Sequence, residues 1–407
     1  MPEIGNPPLT GLRVLDFGQV LALPYTGMML ADQGAEVIKV EPLTGDPSRK
    51  YMPPDVGGES PFYLSVNRNK RSVALDLKSD SGRDAVLAMV AGADVVLENF
   101  RPGVMDRFGL GYDVLSAINP GLIYCAVSGY GRSGPMKDRA GYDPIAQAES
   151  GIMAITGEPD GPATRVGVSI VDVVTGIFSA QAVTAALYAR KETGKGQVIE
   201  STLFATAVNL LSNFSNQSLL AGDDPTRIGS GSQAAQPAGV FQTADSEFML
   251  TIAAEHMYKK FCDKVLERPE MATDPRYETN KMRVTNRLQL ADDLNAIFAT
   301  RSTAEWLERM RAEGIPSGEI LSVRDALASP MADAVNLIST APHSTLGDLK
   351  ILNPTYSFSG TPVREHIAPP LLGQHTREVL RDVAGFDADR IEAMIEAGEA
   401  LAWEEGA

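Results

Sequence analysis

Between residues 12 and 202 the chain alternates short apolar runs with helical stretches. The runs are LRVLDF (12–17), EVIKVEP (36–42), SVALDL (72–77), ADVVLENF (93–100), LIYCAVSG (122–129) and QVIEST (197–202). LPYTGMMLADQGA, SGRDAVLAMVAGA and residues 172–190 carry the helical patterns between them. Strands alternating with helices at this spacing predict βαβ units and a parallel sheet. Near-continuous apolar strands fit a sheet covered on both faces. The fold class is therefore α/β.

Further along, residues 202–221 (TLFATAVNLLSNFSNQSLLA) predict one long helix, and the polar, glycine-rich 222–239 a linker or mobile loop. Charged amphipathic helices at NRLQLADDLNAIFA and STAEWLERMRAEG place a smaller α+β domain at 226–328. Residues 340–364 read as irregular or extended. DADRIEAMIEAGEALAWEE (387–405) reads as a helix returning to the first domain. The expected division is a large domain at 1–200, a linker helix at 201–225, the small domain at 226–328, and a linker and return at 329–407.

A net charge of −16 argues against a nucleic-acid partner, which needs a basic surface. Two cysteines and four scattered histidines supply neither a disulfide framework nor metal-ligand spacing, so no metal is expected. The first residues lack the pattern of a secretory signal. No uninterrupted apolar run reaches the roughly 18 residues of a membrane span. A cytoplasmic enzyme with no membrane partner is the expectation.

Three features carry candidate chemistry. GYGRSG (129–134) matches a dinucleotide-binding glycine pattern, but Pro135 and mixed charges follow instead of an apolar helix, so an ordinary loop is expected. NRNKRSVALDLK (67–78) gathers Arg68, Lys70, Arg71 and Lys78 around one strand, where they could meet phosphate or simply be solvated. Asp172 stands alone in an apolar, small-residue run. It suits the N-cap of the following helix. It also suits a nucleophile held ionised by the helix dipole. Gly176, one turn later, implies close approach of a ligand or another helix.

GLRVLDFG, GAEVIKVEP, NRNKRSVALDLK, ADVVLENFRPGVMDRFGLGYDVLSAINPGLIYCAVSGYG, GYDPIAQAESG, VDVVTG, TGKGQVIE and PLLGQHT, in this order, resemble the class III CoA-transferase family. That family contains formyl-CoA transferase and the 2-methylacyl-CoA racemases. The resemblance implies a Rossmann-like large domain completed by the C-terminal tail, a smaller domain, and an interlocked homodimer. It implies an acyl-CoA and a small carboxylic acid as substrates, with coenzyme A as a substrate and no permanently bound cofactor.

The resemblance makes Asp172 the catalytic nucleophile, passing through a mixed anhydride and an aspartyl-CoA thioester. It implies CoA contacts at Val20, Leu75, Lys78, Asn99, Phe100 and Arg107, with Arg71 replacing the family's nucleotide-phosphate arginine where this chain has Pro42. Gln19 and Tyr142 are implied at the substrate, with Asp143 a weaker candidate. The family's tetraglycine lid has no close match, although GSGSQ (229–233) is a candidate, so formyl and oxalyl groups are not favoured. Racemases carry a histidine where this chain has Tyr142. The expected reaction moves CoA from succinyl-CoA to a small dicarboxylic acid. A racemase and a non-catalytic acyl-CoA-binding protein are the alternatives.

Overall fold

The computed structural model describes residues 5–404. Its large sheet contains β1 (Arg13–Asp16), β2 (Glu36–Glu41), β3 (Lys70–Leu75), β4 (Val95–Glu98), β5 (Ile123–Ser128) and β6 (Gln197–Thr202). The second unit holds an antiparallel sheet of β7 (Ala238–Gln242), β8 (Glu247–Thr251) and β9 (Ser317–Glu319). A hairpin, β10 (Ile338–His343) and β11 (Gly347–Leu352), precedes the last strand, β12 (Ala400–Leu401). The large sheet runs β12-β3-β2-β1-β4-β5-β6, and only β12 is antiparallel to its neighbour. The parallel α/β expectation therefore holds, with the tail adding an antiparallel edge.

Five helices matter for the site: α1 (Ala22–Asp32), α2 (Asp143–Ser150), α3 (Ile170–Thr193), α4 (Thr376–Asp382) and α5 (Ala388–Glu396). Successive strand residues face opposite sides of a sheet. On β2, Ile38 and Val40 join an apolar core with Leu15, Phe17, Val73, Leu75, Met89, Leu380 and Met394. Lys39 and Glu41 alternate with them and are equally buried. That second face is a network of ion pairs: Lys39 with Asp46, Lys70 with Asp16, and Arg49 with Glu41. Buried charges persist only when paired and hydrogen-bonded.

Chain contacts divide the molecule into one unit of residues 1–150, 167–212 and 331–407, and a second of 151–166 and 213–330. The sequence-based division differs, since it leaves 151–166 in the large domain. The second unit has its own core, with Phe241, Phe248, Phe261, Phe298 and Trp306 packed ring on ring.

Two expected helices are shorter than their patterns. Residues 202–221 form Leu203–Leu210, Asn213–Asn216 and a π-helical Gln217–Ala221, with Ser212 at φ 51 between the first two. The Ser-Asn-rich stretch competes for its own backbone and weakens the helix there. The helix expected over 387–405 stops at Glu396. Gly398 takes φ 70, and Gly398 and Glu399 donate to the Ile395 and Met394 carbonyls, a Schellman stop that frees the chain to form β12. Residue 405 lies outside the described residues.

By length and composition α3 is apolar enough to cross a membrane. Counting uninterrupted apolar residues overlooked this because Thr, Ser, Gly and Gln punctuate it. Val171, Thr175, Gly176, Ser179, Ala180 and Val183 form its buried face. A Cβ on Gly176 would lie 2.6 Å from the Ala22 carbonyl oxygen and 3.2 Å from Tyr25 Cβ. The glycine thus serves the contact of α3 with α1, which Thr26 Oγ1 ties by donating to the Gly176 carbonyl at 2.9 Å. Gly176→Ala is expected to lose about 1–3 kcal/mol by overpacking, read as a lower denaturation midpoint in urea with unchanged slope.

Candidate active site

In the large sheet the strand order turns outward in both directions from the β1–β4 pair. A crevice opens at the carboxyl ends of strands at such a switch point. A cavity of about 370 Å³ lies there. Gln19 and Val20 reach it from the turn after β1, and Asn99, Phe100 and Arg101 from the end of β4. Gly129, Lys137, Arg139, Gly141 and Tyr142 reach it from the segment after β5, and Asp172 from α3. Asp172 is the only acidic residue among the described residues that line it.

Asp172 is the third residue of α3, not its cap. Ser169 stands at the N-cap without a side-chain bond. The free N–H groups go instead to Asp143, whose Oδ2 accepts from Val171 N at 2.7 Å and Asp172 N at 3.1 Å. Its Oδ1 accepts from Gln147 Nε2 at 2.6 Å. The cap expected of Asp172 therefore belongs to Asp143, and the Asp172 carboxylate is left for the cavity. Nor is Asp172 held ionised as the helix dipole alone would have it. Burial, and then the charge of Asp143, push its carboxyl up to about 7. Asp143→Ala removes that charge, so the acid limb of the pH–kcat/KM profile is expected to move to lower pH. Loss of the cap is expected to cost about 0.5–2 kcal/mol in the same variant.

The remaining sequence candidates separate. Gln19, Val20, Asn99, Phe100 and Tyr142 share the cavity with Asp172. Leu75 is fully buried in the apolar core, so its side chain cannot meet CoA. Arg71 pairs with Glu36 and Glu378, outside this cavity, and is unsuited to a nucleotide phosphate. Its neighbours Arg68 and Lys70 are likewise committed, to Asp32 and Asp16. Lys78 and Arg107 are exposed and do not line the cavity, although Arg107 follows Val104, which does.

Three cations that sequence reasoning missed do line it: Arg101, Lys137 and Arg139. Arg139 is braced by Glu149 at 2.6 Å and lies over the Tyr130 ring. Arg101 and Lys137 have no acidic partner within 4 Å among the described residues. Their only signal in the sequence was position, one beside Phe100 at a strand end, the others just before Tyr142.

The first glycine of GYGRSG also finds a purpose. A Cβ on Gly129 would come 2.5 Å from Gly141 Cα, and one on Gly141 within 2.2 Å of Gly129 Cα. The two backbones touch, which brings Tyr142 and Asp143 back to the end of β5. The GSGSQ stretch belongs to the second unit. There Gly229 N donates to the Gly157 carbonyl at 2.9 Å, and Ser230 Oγ accepts from Val240 N at 2.9 Å.

Residues 9–376 match the model of CoA-transferase family III. The chain belongs to that family. This CoA-transferase is 40% identical over 392 residues to the succinyl-CoA:glutarate CoA-transferase of Mus musculus, covering 96% of this chain and 90% of that one. It is 41% identical over 333 residues to the acetyl-CoA:oxalate CoA-transferase of Acetobacter aceti, covering 81% of this chain and 85% of that one. A CAIB/BAIF family protein from Brucella suis shares its structure with a TM-score of 0.84 at 35% identity, covering 93% of this chain and 100% of that one. The CoA-transferase acts on CoA thioesters and carboxylic acids.

Proposed function

We propose that the enzyme moves CoA from succinyl-CoA to a small dicarboxylic acid, with Asp172 as the nucleophile. The observation that carries this reading is a single carboxylate in a cavity otherwise bordered by three cations. The cations suit the anionic CoA and a second carboxylate on the acyl group or acceptor. The relatives named for glutarate and oxalate both take a dicarboxylic acid.

Asp172 attacks the thioester carbonyl, the C–S bond breaks, and CoA leaves as the thiolate. The thiolate attacks the aspartyl carbonyl of the anhydride and releases the donor acid. The acceptor carboxylate attacks the aspartyl-CoA thioester, forming a second anhydride and freeing the thiolate again. Attack of that thiolate on the acceptor carbonyl yields the new thioester and restores Asp172. Each intermediate is open to hydrolysis, so the site must keep water out.

A homodimer belongs to this reading. Leu219, Leu220 and Val323 are 79–84% exposed in the single chain, which supports their burial against a partner. Light scattering should return twice the chain mass.

Intact-protein mass spectrometry after mixing with succinyl-, glutaryl-, acetyl- or oxalyl-CoA tests the chemistry. A hydroxylamine-sensitive adduct mapped to Asp172, with ping-pong kinetics toward glutarate, is expected. Epimerisation of a 2-methylacyl-CoA without any acid acceptor would instead identify a racemase. CoA binding with neither reaction would leave a binding protein.

A further inference from the structure

The turn between β1 and α1 carries Gln19 and Val20 into the cavity, and side chains hold its backbone. Gly18 N donates to Asp16 Oδ1 at 2.8 Å, and the Gly18 carbonyl accepts from Lys39 Nζ at 2.7 Å. Asn99 brackets Gln19, accepting from its N–H at 2.8 Å and donating to its carbonyl at 2.9 Å. Val20 N donates to both carboxylate oxygens of Asp46, at 3.2 and 3.3 Å. Asp46 in turn accepts from Lys39 Nζ at 2.8 Å and from Ser48 N and Oγ at 2.8 and 2.7 Å.

Val20 sits at φ 64. A β-branched residue avoids that left-handed region and persists there only where its surroundings over-determine it. Lys39 and Asp46 are each about 1% exposed. An apolar pair of the same size would spare the desolvation of two charges. It would also leave the Gly18 carbonyl and the Val20 amide without these partners.

We propose that Lys39 and Asp46 are positioning residues, a buried pair that locks the Gly18–Val20 turn in its strained form and so sets Gln19 in the cavity wall with Asp172. The pair touches no substrate. It acts through the turn, and this role rests on the CoA-transfer reading above.

The test joins hydrogen exchange with kinetics in Asp46→Asn and Lys39→Met, using Asp32→Asn in the Arg68–Asp32 pair, which is also buried, as the structural control. In Asp46→Asn the Val20 amide is expected to exchange at least about tenfold faster while β1 stays protected. kcat is expected to fall about 10- to 100-fold with less than a threefold change in KM for the acyl-CoA. Asp32→Asn should lower thermal stability and keep kcat. Glycine removes the steric objection to φ 64, so Val20→Gly combined with Asp46→Asn should recover part of the lost kcat, a coupling that general destabilisation would not produce.

Unchanged exchange at Val20 overturns the proposal. So does faster exchange with unchanged kcat, or an equal loss of kcat in the Asp32 control. A wild-type enzyme that transfers no CoA overturns the functional reading instead. The exchange data then decide by themselves whether the pair holds the turn.

Discussion

Asp172→Asn is expected to lower CoA transfer by at least about 10⁴-fold, the scale of losing a covalent nucleophile, while the protein gains stability at pH 8. The first effect is the loss of the nucleophile, and the second has a different cause, the removal of a buried charge. The carboxyl is raised from 3.8 to about 7, chiefly by burial. From about pH 4 to 7 the native protein therefore holds a proton that the unfolded chain has released, and stability declines as pH rises through that window. Above pH 7 the fold carries the full cost of a half-buried charge, on the order of 2–4 kcal/mol. Asparagine never carries it. Urea melts at pH 5 and pH 8 should show the gain at the higher pH and little at the lower. In the wild type only the ionised form attacks, so kcat/KM should fall with unit slope below about pH 7. A variant that loses stability at pH 8 would show that Asp172 is not under electrostatic strain.

Gly141→Val is expected to cost about 10²-fold in kcat with the fold retained. The Cβ would lie 2.2 Å from Gly129 Cα, with backbone on both sides and no flexible side chain to give way. The segment must lift off β5, carrying Tyr142 from the cavity and drawing Asp143 from the start of α3. Displacements near 1 Å suffice for a loss of this size. A simultaneous downward shift of the Asp172 pKa, read from the pH profile, would report that Asp143 had withdrawn. Wild-type kinetics in this variant would mean that the 129–142 contact does not position the site.

The parallel sheet was legible because each strand is an apolar run of the right length between helical patterns. Asp172 was legible because a charge is anomalous in such a run. Its environment was not: the cap is Asp143, 29 residues earlier, and the carboxyl is raised first by burial in the fold and then by the Asp143 charge. Charge was the least legible property. Arg68, Lys70 and Arg71 looked available for phosphate, yet their partners Asp32, Asp16, Glu36 and Glu378 come from four other elements. Nothing local in EVIKVEP marks Lys39, and only the fold sets Asp46 and the Gly18 carbonyl beside it. The cavity cations escaped notice because no local pattern separates a lining arginine from a solvated one.

The edge strand at the end of the chain also governs how the protein can be made. Ala400 and Leu401 pair with Leu75 and Ala74, and Thr376 ties both strands by donating to the Leu401 carbonyl at 2.6 Å and accepting from Ala74 N at 3.2 Å. Val379, Leu380, Ile391 and Met394 fill the same core. On the ribosome β3 therefore waits for β12 while roughly 300 further residues are synthesised, on the order of 15–60 s at ordinary elongation rates. Through that interval the nascent chain offers an open sheet edge and an unfilled core, the kind of surface on which chains aggregate. The second unit is finished once Pro330 has emerged. A polysome carrying this message would thus hold small units that are complete while the large one still lacks its edge strand and the helices that fill its core.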